Sequence, residues 1–245
     1  MRIYNQWEQG TAQWLAVRAG IITASEASVL FTPKWQISES KGADSYLAQK
    51  LSEKWLGASP ANSFMSRQME DGHLREDEGR KAYQFQYDVE VSRVAFIASN
   101  DLTVGCSPDG LVGSDMGLEL KCPSAETHVK YLLANRVPEE YVTQVYFSMF
   151  VTGFQRWVFV SHRPAFPLFV KVVERDEKIM ETIEDGVHDF LRKLETAYKC
   201  LVHLNGDREP GLNSFREECL KQEGDPAPVQ QTQAQQPETS DVPIP

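Results

Sequence analysis

The chain has 245 residues, 41% hydrophobic and 24% charged, which is the balance of an ordinary globular protein. That length suits one domain with some extra chain at its ends, and no unbroken apolar run reaches the roughly 18 to 20 residues of a membrane span. The net charge of −10 excludes a protein that coats nucleic acid by bulk electrostatics, while a local basic patch within an acidic surface stays possible.

Met1 to Glu8 has no signal-peptide core, so a cytoplasmic location without a membrane is expected. Cys106, Cys122, Cys200 and Cys219 form no C-x-x-C pair and read as buried free thiols. Trp7 to Arg18 reads as a turn or short helix anchored by Trp14 and Val17. Thr23-Ala24-Ser25-Glu26 carries cap-type residues, so a helix is expected to start near Thr23 or Ser25 and to end at Pro33. Lys34 to Asp44 reads as a mobile loop. From Asp44 to Leu56, Leu47, Ala48, Leu51 and Trp55 recur at helical spacing, and Gly57 stops the pattern. A longer, densely charged helical pattern runs from about Phe64 to Tyr87.

Strand signals then take over. Val89 to Ala98, Thr103 to Val112 and Leu118 to Cys122 are rich in β-branched and apolar residues, and Gly113 to Gly117 makes the last two a hairpin. Pro138 to Thr152 reads as a strongly apolar helix closed by Gly153. Arg156 to Val160 and Leu168 to Glu174 read as strands. Asp176 to Leu201 is a long amphipathic helix with Asp176 as N-cap. The order predicts an α/β fold with a central mixed sheet flanked by helices. Residues 1–220 form a single domain on this reading. Residues 221–245, Gln- and Pro-rich and acidic, are expected to be a disordered tail because they offer too little apolar surface to offset chain entropy.

The chemistry concentrates in Ser107-Pro108-Asp109-Gly110 and Gly117-Leu118-Glu119-Leu120-Lys121-Cys122-Pro123. Side chains alternate along a strand, so Glu119 and Lys121 share a face, and Asp109 joins them if paired residues have numbers of equal parity. Two carboxylates and an ammonium set among apolar residues suit metal-dependent phosphodiester hydrolysis. Magnesium takes oxygen ligands, two such ions about 4 Å apart can serve both the attacking and the leaving oxygen, and the ammonium can orient water or steady transition-state charge. The Leu120 side chain points to the other face, and its carbonyl is free to act as a hard ligand if it lies at a sheet edge. The competing reading is an exposed hairpin with an ordinary Glu/Lys pair.

These blocks resemble the bacteriophage lambda exonuclease family: CSPDGL and GLELKCP, Trp14 to Glu26 (W-L-x-x-R-x-G-x-I-T-A-S-E), Gln144 to Thr152 and Val172 to Met180. The blocks occur in the family's order, between about Gln13 and Leu201. The resemblance implies a restriction-endonuclease-like core and a bacterial or prophage setting. It implies a processive enzyme that digests the 5′-ended strand of linear duplex DNA with two magnesium ions, manganese substituting, and leaves 3′ single strands. A homotrimeric ring and a single-strand annealing recombinase as partner are implied as well.

By position, the resemblance makes Asp109, Glu119, Glu76 and the Leu120 carbonyl the metal-binding groups, Lys121 the catalytic lysine and Gln144 a glutamine facing the active site. It makes Arg18 the receiver of a terminal 5′-phosphate with Ser25 and Ser107 as hydroxyl partners, and Met69 an apolar wedge at the terminal base pair. On the residues alone, Glu76 also reads as a solvated helix charge, Ser25 as a helix cap and Met69 as core packing. Lys34-Trp35-Gln36 departs from the family's more basic loop, and Asn205 to Pro245 has no counterpart in it. A site-specific endonuclease on the same core and a non-catalytic DNA-end binding protein are the alternatives.

Overall fold

The computed structural model describes residues 1–59 and 67–222, and the backbone alone for 67–74. The chain opens with β1 (Arg2–Tyr4), α1 (Ala12–Arg18), β2 (Ile22–Thr23), a 3-10 turn (Ala27–Leu30), α2 (Lys41–Leu56) and α3 (Arg67–Tyr87). Five strands follow: β3 (Val91–Ser92), β4 (Phe96–Ala98), β5 (Val104–Cys106), β6 (Gly110–Val112) and β7 (Met116–Lys121). Then come α4 (Ala125–Ala134), α5 (Glu139–Thr152), β8 (Arg156–Ser161), β9 (Phe169–Glu174), α6 (Glu177–Leu204) and α7 (Ser214–Leu220).

The strands form two sheets. The larger has the order β3-β6-β7-β8-β9, and the smaller β1-β4-β5-β2. Within the larger sheet β7 and β8 run parallel and the other pairs antiparallel. A parallel pair needs a long crossover, which α4 and α5 supply. Helix α5 is the apolar centre: Val145, Phe147, Met149 and Val151 are buried, and the helix packs on β4 and β5 of one sheet and on β7 and β8 of the other. Gly117 permits the closest approach in β7, since a Cβ there would lie 2.3 Å from the ring of buried Trp157.

Outside the sheets, α6 buries Met180, Ile183, Val187, Phe190 and Leu194 at helical spacing. Each such side chain contributes about 1.5–3 kcal/mol by leaving water. Asp176 caps it by accepting from the amides of Lys178 (2.9 Å) and Ile179 (3.3 Å).

Several expectations need correction. Thr23 lies in a strand paired with β5, and only the short 3-10 turn follows, so Ser25 is not a helix cap. Helix α2 begins at Lys41, capped by Ser40; Leu47 and Leu51 pack partly buried on the core, while its fully buried residues are Tyr46, Lys50 and Glu53. The 34–44 stretch is tied down: Trp35 packs on Phe31 and Tyr146, and Phe31 bridges Ile37. The strands expected at Val89–Ala98 and Thr103–Val112 are each broken in two, the second by Pro108, which has no amide for the ladder. Helices α4 and α7 and strand β1 were not expected. Of the four thiols, only Cys106 and Cys219 are buried. The Met69 side chain and residues 223–245 lie outside what the structure describes.

Candidate active site

The break at Pro108 places Asp109 at the mouth of the β6–β7 hairpin. The register pairs Gly110 with Leu118, numbers of equal parity, and the Asp109 amide donates to the Leu118 carbonyl at 2.9 Å. Asp109 Oδ2 accepts from the Leu120 amide at 2.6 Å, which fixes the carboxylate. Because the amide and carbonyl of one strand residue project to the same side, the Leu120 carbonyl also leaves β7 on the Asp109 side. Lys121 Nζ lies 2.5 Å from Glu119 Oε1 and 3.9 Å from Asp109 Oδ2. Gln144, on α5, donates to Glu119 Oε1 at 2.6 Å. Asp109, Glu119, Lys121 and Gln144 therefore converge at the end of the larger sheet.

Glu119 is 1% exposed. Burial pushes its carboxyl up to about 7 against the opposing charge of Lys121, and Asp109 and Glu76 push in the same direction as burial. Burial works to lower the Lys121 pKa, but the charges of Glu119, Asp109 and Glu76 outweigh it and raise the ammonium above its ordinary value. Lys121 also lies over the Tyr141 ring, 5.5 Å from its centroid. Glu76, on α3, thus acts on the pair by charge. Cys122, next along the chain, is pushed up to about 11 by burial and then by Glu76 and Asp109, which leaves it a neutral thiol at physiological pH.

Helix α3 is tied to this loop through Arg80, whose Nε donates to the Asp109 carbonyl at 3.0 Å and whose Nη1 meets Asp77 at 2.6 Å. Arg93 also bonds Asp77. Gln9 donates to the Pro108 carbonyl at 3.0 Å from the other side.

A divalent cation fits these residues. Among the described residues Glu119 Oε2 is buried with no hydrogen-bond partner, while Oε1 takes both Lys121 and Gln144. A buried carboxylate oxygen without a donor is costly, and a hard cation satisfies it. Among the described residues no three His, Cys, Asp or Glu side chains gather into a closed cage. That matches magnesium, which is commonly held by one or two carboxylates, water and substrate phosphates.

Beside the carboxylates lies a cationic pocket. Arg18 ends α1 and donates from Nη1 to Ser107 Oγ at 3.0 Å, and from Nη2 to Ser25 Oγ at 3.4 Å and Thr23 Oγ1 at 3.5 Å. Its guanidinium stacks 4.1 Å from the centroid of the Trp14 ring. The Trp14 indole N–H in turn reaches Ser107 Oγ and the Ala95 carbonyl, both at 3.0 Å. Burial pulls the Arg18 pKa below its ordinary value, with Glu26, Tyr46 and Glu53 working against it. Arg18, Ser25 and Ser107 come together as one site. Trp14, Thr23, Arg80 and Gln9 were missed by the sequence reading. Trp14 was taken only as an apolar anchor, though an indole carries a donor that needs a partner when buried.

The mixed α/β fold is a restriction-endonuclease-like core, and the family and structural matches make the chain a nuclease. The chain matches the YqaJ-like viral recombinase domain over residues 13–155. It superposes on the alkaline exonuclease LHK-Exo from Laribacter hongkongensis with a TM-score of 0.70 and 29% identity, covering 80% of this chain and 99% of that one. The same enzyme in complex with dAMP gives 28% identity and the same TM-score. A phage-related exonuclease from Haemophilus somnus 129PT shares the fold at 11% identity and a TM-score of 0.55, covering 74% of this chain and 96% of that one. The uncharacterized protein ExoD of Escherichia coli (strain K12) is 33% identical over 75 residues, 29% of this chain and 86% of that protein. The chain belongs to the YqaJ-like viral recombinase domain family, the lambda exonuclease family. It is an exonuclease-family nuclease that acts on DNA, and among the described residues no helix is long and apolar enough to cross a membrane.

Proposed function

We propose that this chain is a magnesium-dependent exonuclease that hydrolyses the 5′-ended strand of linear duplex DNA and leaves 3′ single strands for annealing recombination. The observation that carries the reading is the shared loop of Ser107 and Asp109. The hydroxyl of Ser107 belongs to the Arg18 pocket, at 3.0 Å, and the carboxylate of Asp109 to the hydrolytic site, 3.9 Å from Lys121. A terminal phosphate held by the first sets the adjacent phosphodiester near the second.

Arg18 forks onto the oxygens of the terminal phosphate while Ser25 and Ser107 turn their hydroxyls from Arg18 to the same group. Trp14 keeps the guanidinium flat and shielded. Asp109, Glu119 and the Leu120 carbonyl would hold the divalent ion, with Glu76 adding negative charge. When bound, that ion supplies Lewis-acid stabilisation to the scissile phosphate and acidifies the attacking water. Lys121 has its pKa raised, so at neutral pH it stays protonated. Its ammonium, 2.5 Å from Glu119 and 3.9 Å from Asp109, is placed to donate a hydrogen bond and positive charge to the developing oxyanion. Gln144 holds Glu119 in place at 2.6 Å. The capture of dAMP, a mononucleotide, by the Laribacter enzyme supports release of single nucleotides by this chain. A ring of three chains around the duplex, with a single-strand annealing recombinase as partner, completes the reading.

The test is one digestion of linear duplexes labelled at 5′ or 3′ termini, with and without Mg²⁺, beside a closed circle. Loss of the 5′-ended strand alone, only with Mg²⁺, and an intact circle is the expected result. Arg18→Ala should lose rate chiefly on 5′-phosphorylated ends. Cutting of the circle would make the chain an endonuclease, and no cleavage with any divalent ion would leave it a DNA-end binding protein.

A further inference from the structure

Behind the Arg18 pocket lies a charged cluster that hydrolysis does not use. Lys50, on α2, is 2% exposed. Its ammonium sits 3.0 Å from Glu26 Oε2 and 2.9 Å from Glu53 Oε2, and lies over the Tyr46 ring at 5.1 Å. Gln49 donates to the remaining oxygen of each carboxylate at 3.0 Å. Both carboxylates then reach the segment that carries Arg18. Glu53 Oε2 accepts the amide of Gly20 at 2.9 Å, and Glu26 Oε2 accepts the Thr23 hydroxyl at 2.9 Å. Thr23 Oγ1 is itself an acceptor for Arg18 Nη2.

Stability does not account for this cluster. Desolvating two carboxylates and an ammonium costs about what their attraction returns, and a well-packed apolar residue at such a position commonly serves a fold as well or better. Its charge count, however, bears directly on an anion. Arg18 and Lys50 balance Glu26 and Glu53. Remove the charge of Lys50 and two carboxylates stand behind a single guanidinium, so the pocket turns net negative toward an incoming phosphate.

We infer that Lys50 is a positioning residue for the terminal-phosphate pocket: a buried cation that neutralises Glu26 and Glu53, holds them on Thr23 and Gly20, and so keeps the charge of Arg18 available to a 5′-phosphate. The inference rests on the reading of Arg18 as the phosphate receiver, and it adds the group that sets how strongly the pocket prefers a phosphate to a hydroxyl.

The experiment measures initial degradation rates on linear duplexes with 5′-phosphate or 5′-hydroxyl ends and compares their ratio. The proteins are the full chain, Arg18→Ala, Lys50→Met, Glu53→Gln and the double variant Lys50→Met/Glu53→Gln, each checked for folding by circular dichroism. Lys50→Met should lower the ratio about tenfold, the effect of one unit charge at roughly 10 Å in an effective dielectric of about 20. The double variant, with its charge count restored, should recover the ratio to within about twofold. Glu53→Gln alone, which leaves Lys50 paired to Glu26, should raise the ratio through a lower KM for phosphorylated ends. A ratio unchanged in Lys50→Met but lost in Arg18→Ala overturns the role of Lys50 and leaves the pocket standing. Loss in Lys50→Met without recovery in the double variant makes Lys50 a packing residue. Should Lys50→Met fail to fold, Glu53→Gln decides, since an unchanged KM for phosphorylated ends refutes the charge argument. A full chain that treats both ends alike refutes the phosphate reading itself, and the Lys50 inference with it.

Discussion

Burying Glu119 works against the fold, and the sign follows from its pKa. The carboxyl is raised from 4.5 to about 7, so the folded chain binds its proton more tightly than the unfolded chain. Below 4.5 both states hold the proton and nothing is lost. Between 4.5 and 7 stability falls as pH rises, and above 7 the loss is complete, on the order of 3 kcal/mol for a shift of this size. Glu119→Gln should therefore raise the melting temperature of the metal-free protein at pH 8, by up to about that free energy, and change it little at pH 4. Thermal unfolding at the two pH values checks this. Added Mg²⁺ should narrow the difference at pH 8 by stabilising the native carboxylate and not the amide. An equal effect at both pH values would show that the burden on Glu119 is steric. At this scale the sequence was informative: alternation along Leu118-Glu119-Leu120-Lys121 puts carboxylate and ammonium on one face, 2.5 Å apart in the structure. Alternation carries nothing about Glu119 Oε2 being left without a donor, because that depends on what α5 brings from 25 residues away.

Elements carry the site through their ties. Helix α3 holds Glu76, the hairpin loop holds Asp109, and Arg80, one turn beyond Glu76, links the two at the Asp109 carbonyl. Arg80→Ala should leave the fold intact, since Arg80 lies at the edge of the core, but lower kcat by about 10- to 100-fold, the order expected when a catalytic group drifts by an ångström. KM for DNA ends should change far less. Circular dichroism and steady-state rates check both parts, and an unchanged kcat would show that α3 is held by packing alone. What the sequence conveyed about elements followed its periodicity. Helix α6, with a continuous apolar stripe and an Asp cap, was legible to within a few residues. Helix α2 was found, and Leu47 and Leu51 of its apolar spacing pack on the core, but the charged part of its inward face was missed. Lys50 and Glu53 look like solvent-facing charges until they are seen to satisfy one another, so apolar spacing alone does not reveal them. Helix α4 carried a usable signal in Ser124, whose hydroxyl accepts the Thr127 amide, with Glu126 in the first turn. Thr23 misled in the opposite way, since its capping-type hydroxyl serves Arg18 and Glu26 from a strand.

At the scale of the molecule, the first residues and helix α7 meet behind the phosphate pocket, and this was the least legible feature in the sequence. Helix α7 is seven residues long and follows a Gly- and Pro-containing stretch, too short for periodicity to report. Its partners are some 200 residues away. Arg216 donates to the carbonyls of Ala16 (3.2 Å) and Ala19 (3.0 Å), either side of Arg18 at the end of α1. Tyr4 and Gln6 bond the carbonyls of Leu220 and Gln222, and Cys219 and Leu220 are buried against Ala16 and Val17. Carbonyls at a helix C-terminus lack intrahelical partners and carry partial negative charge, so a guanidinium there both satisfies and complements them. Helix α7 thus braces the helix that presents Arg18, while the hydrolytic carboxylates rest on the other sheet. Two truncations separate these roles. A chain ending at Gln222 keeps every one of these bonds and should degrade DNA as the full chain does. A chain ending at Asn205 loses α7, and its melting temperature should fall by several degrees as the two Arg216 hydrogen bonds and a small apolar contact go. Its rate on 5′-phosphorylated ends should fall more than its rate on hydroxyl ends, because the loosened element carries the phosphate ligand and not Asp109 or Glu119. Equal loss on both ends would mean that α7 supports the domain as a whole and leaves the Arg18 pocket to be held by Trp14, Ser107 and the α2 cluster.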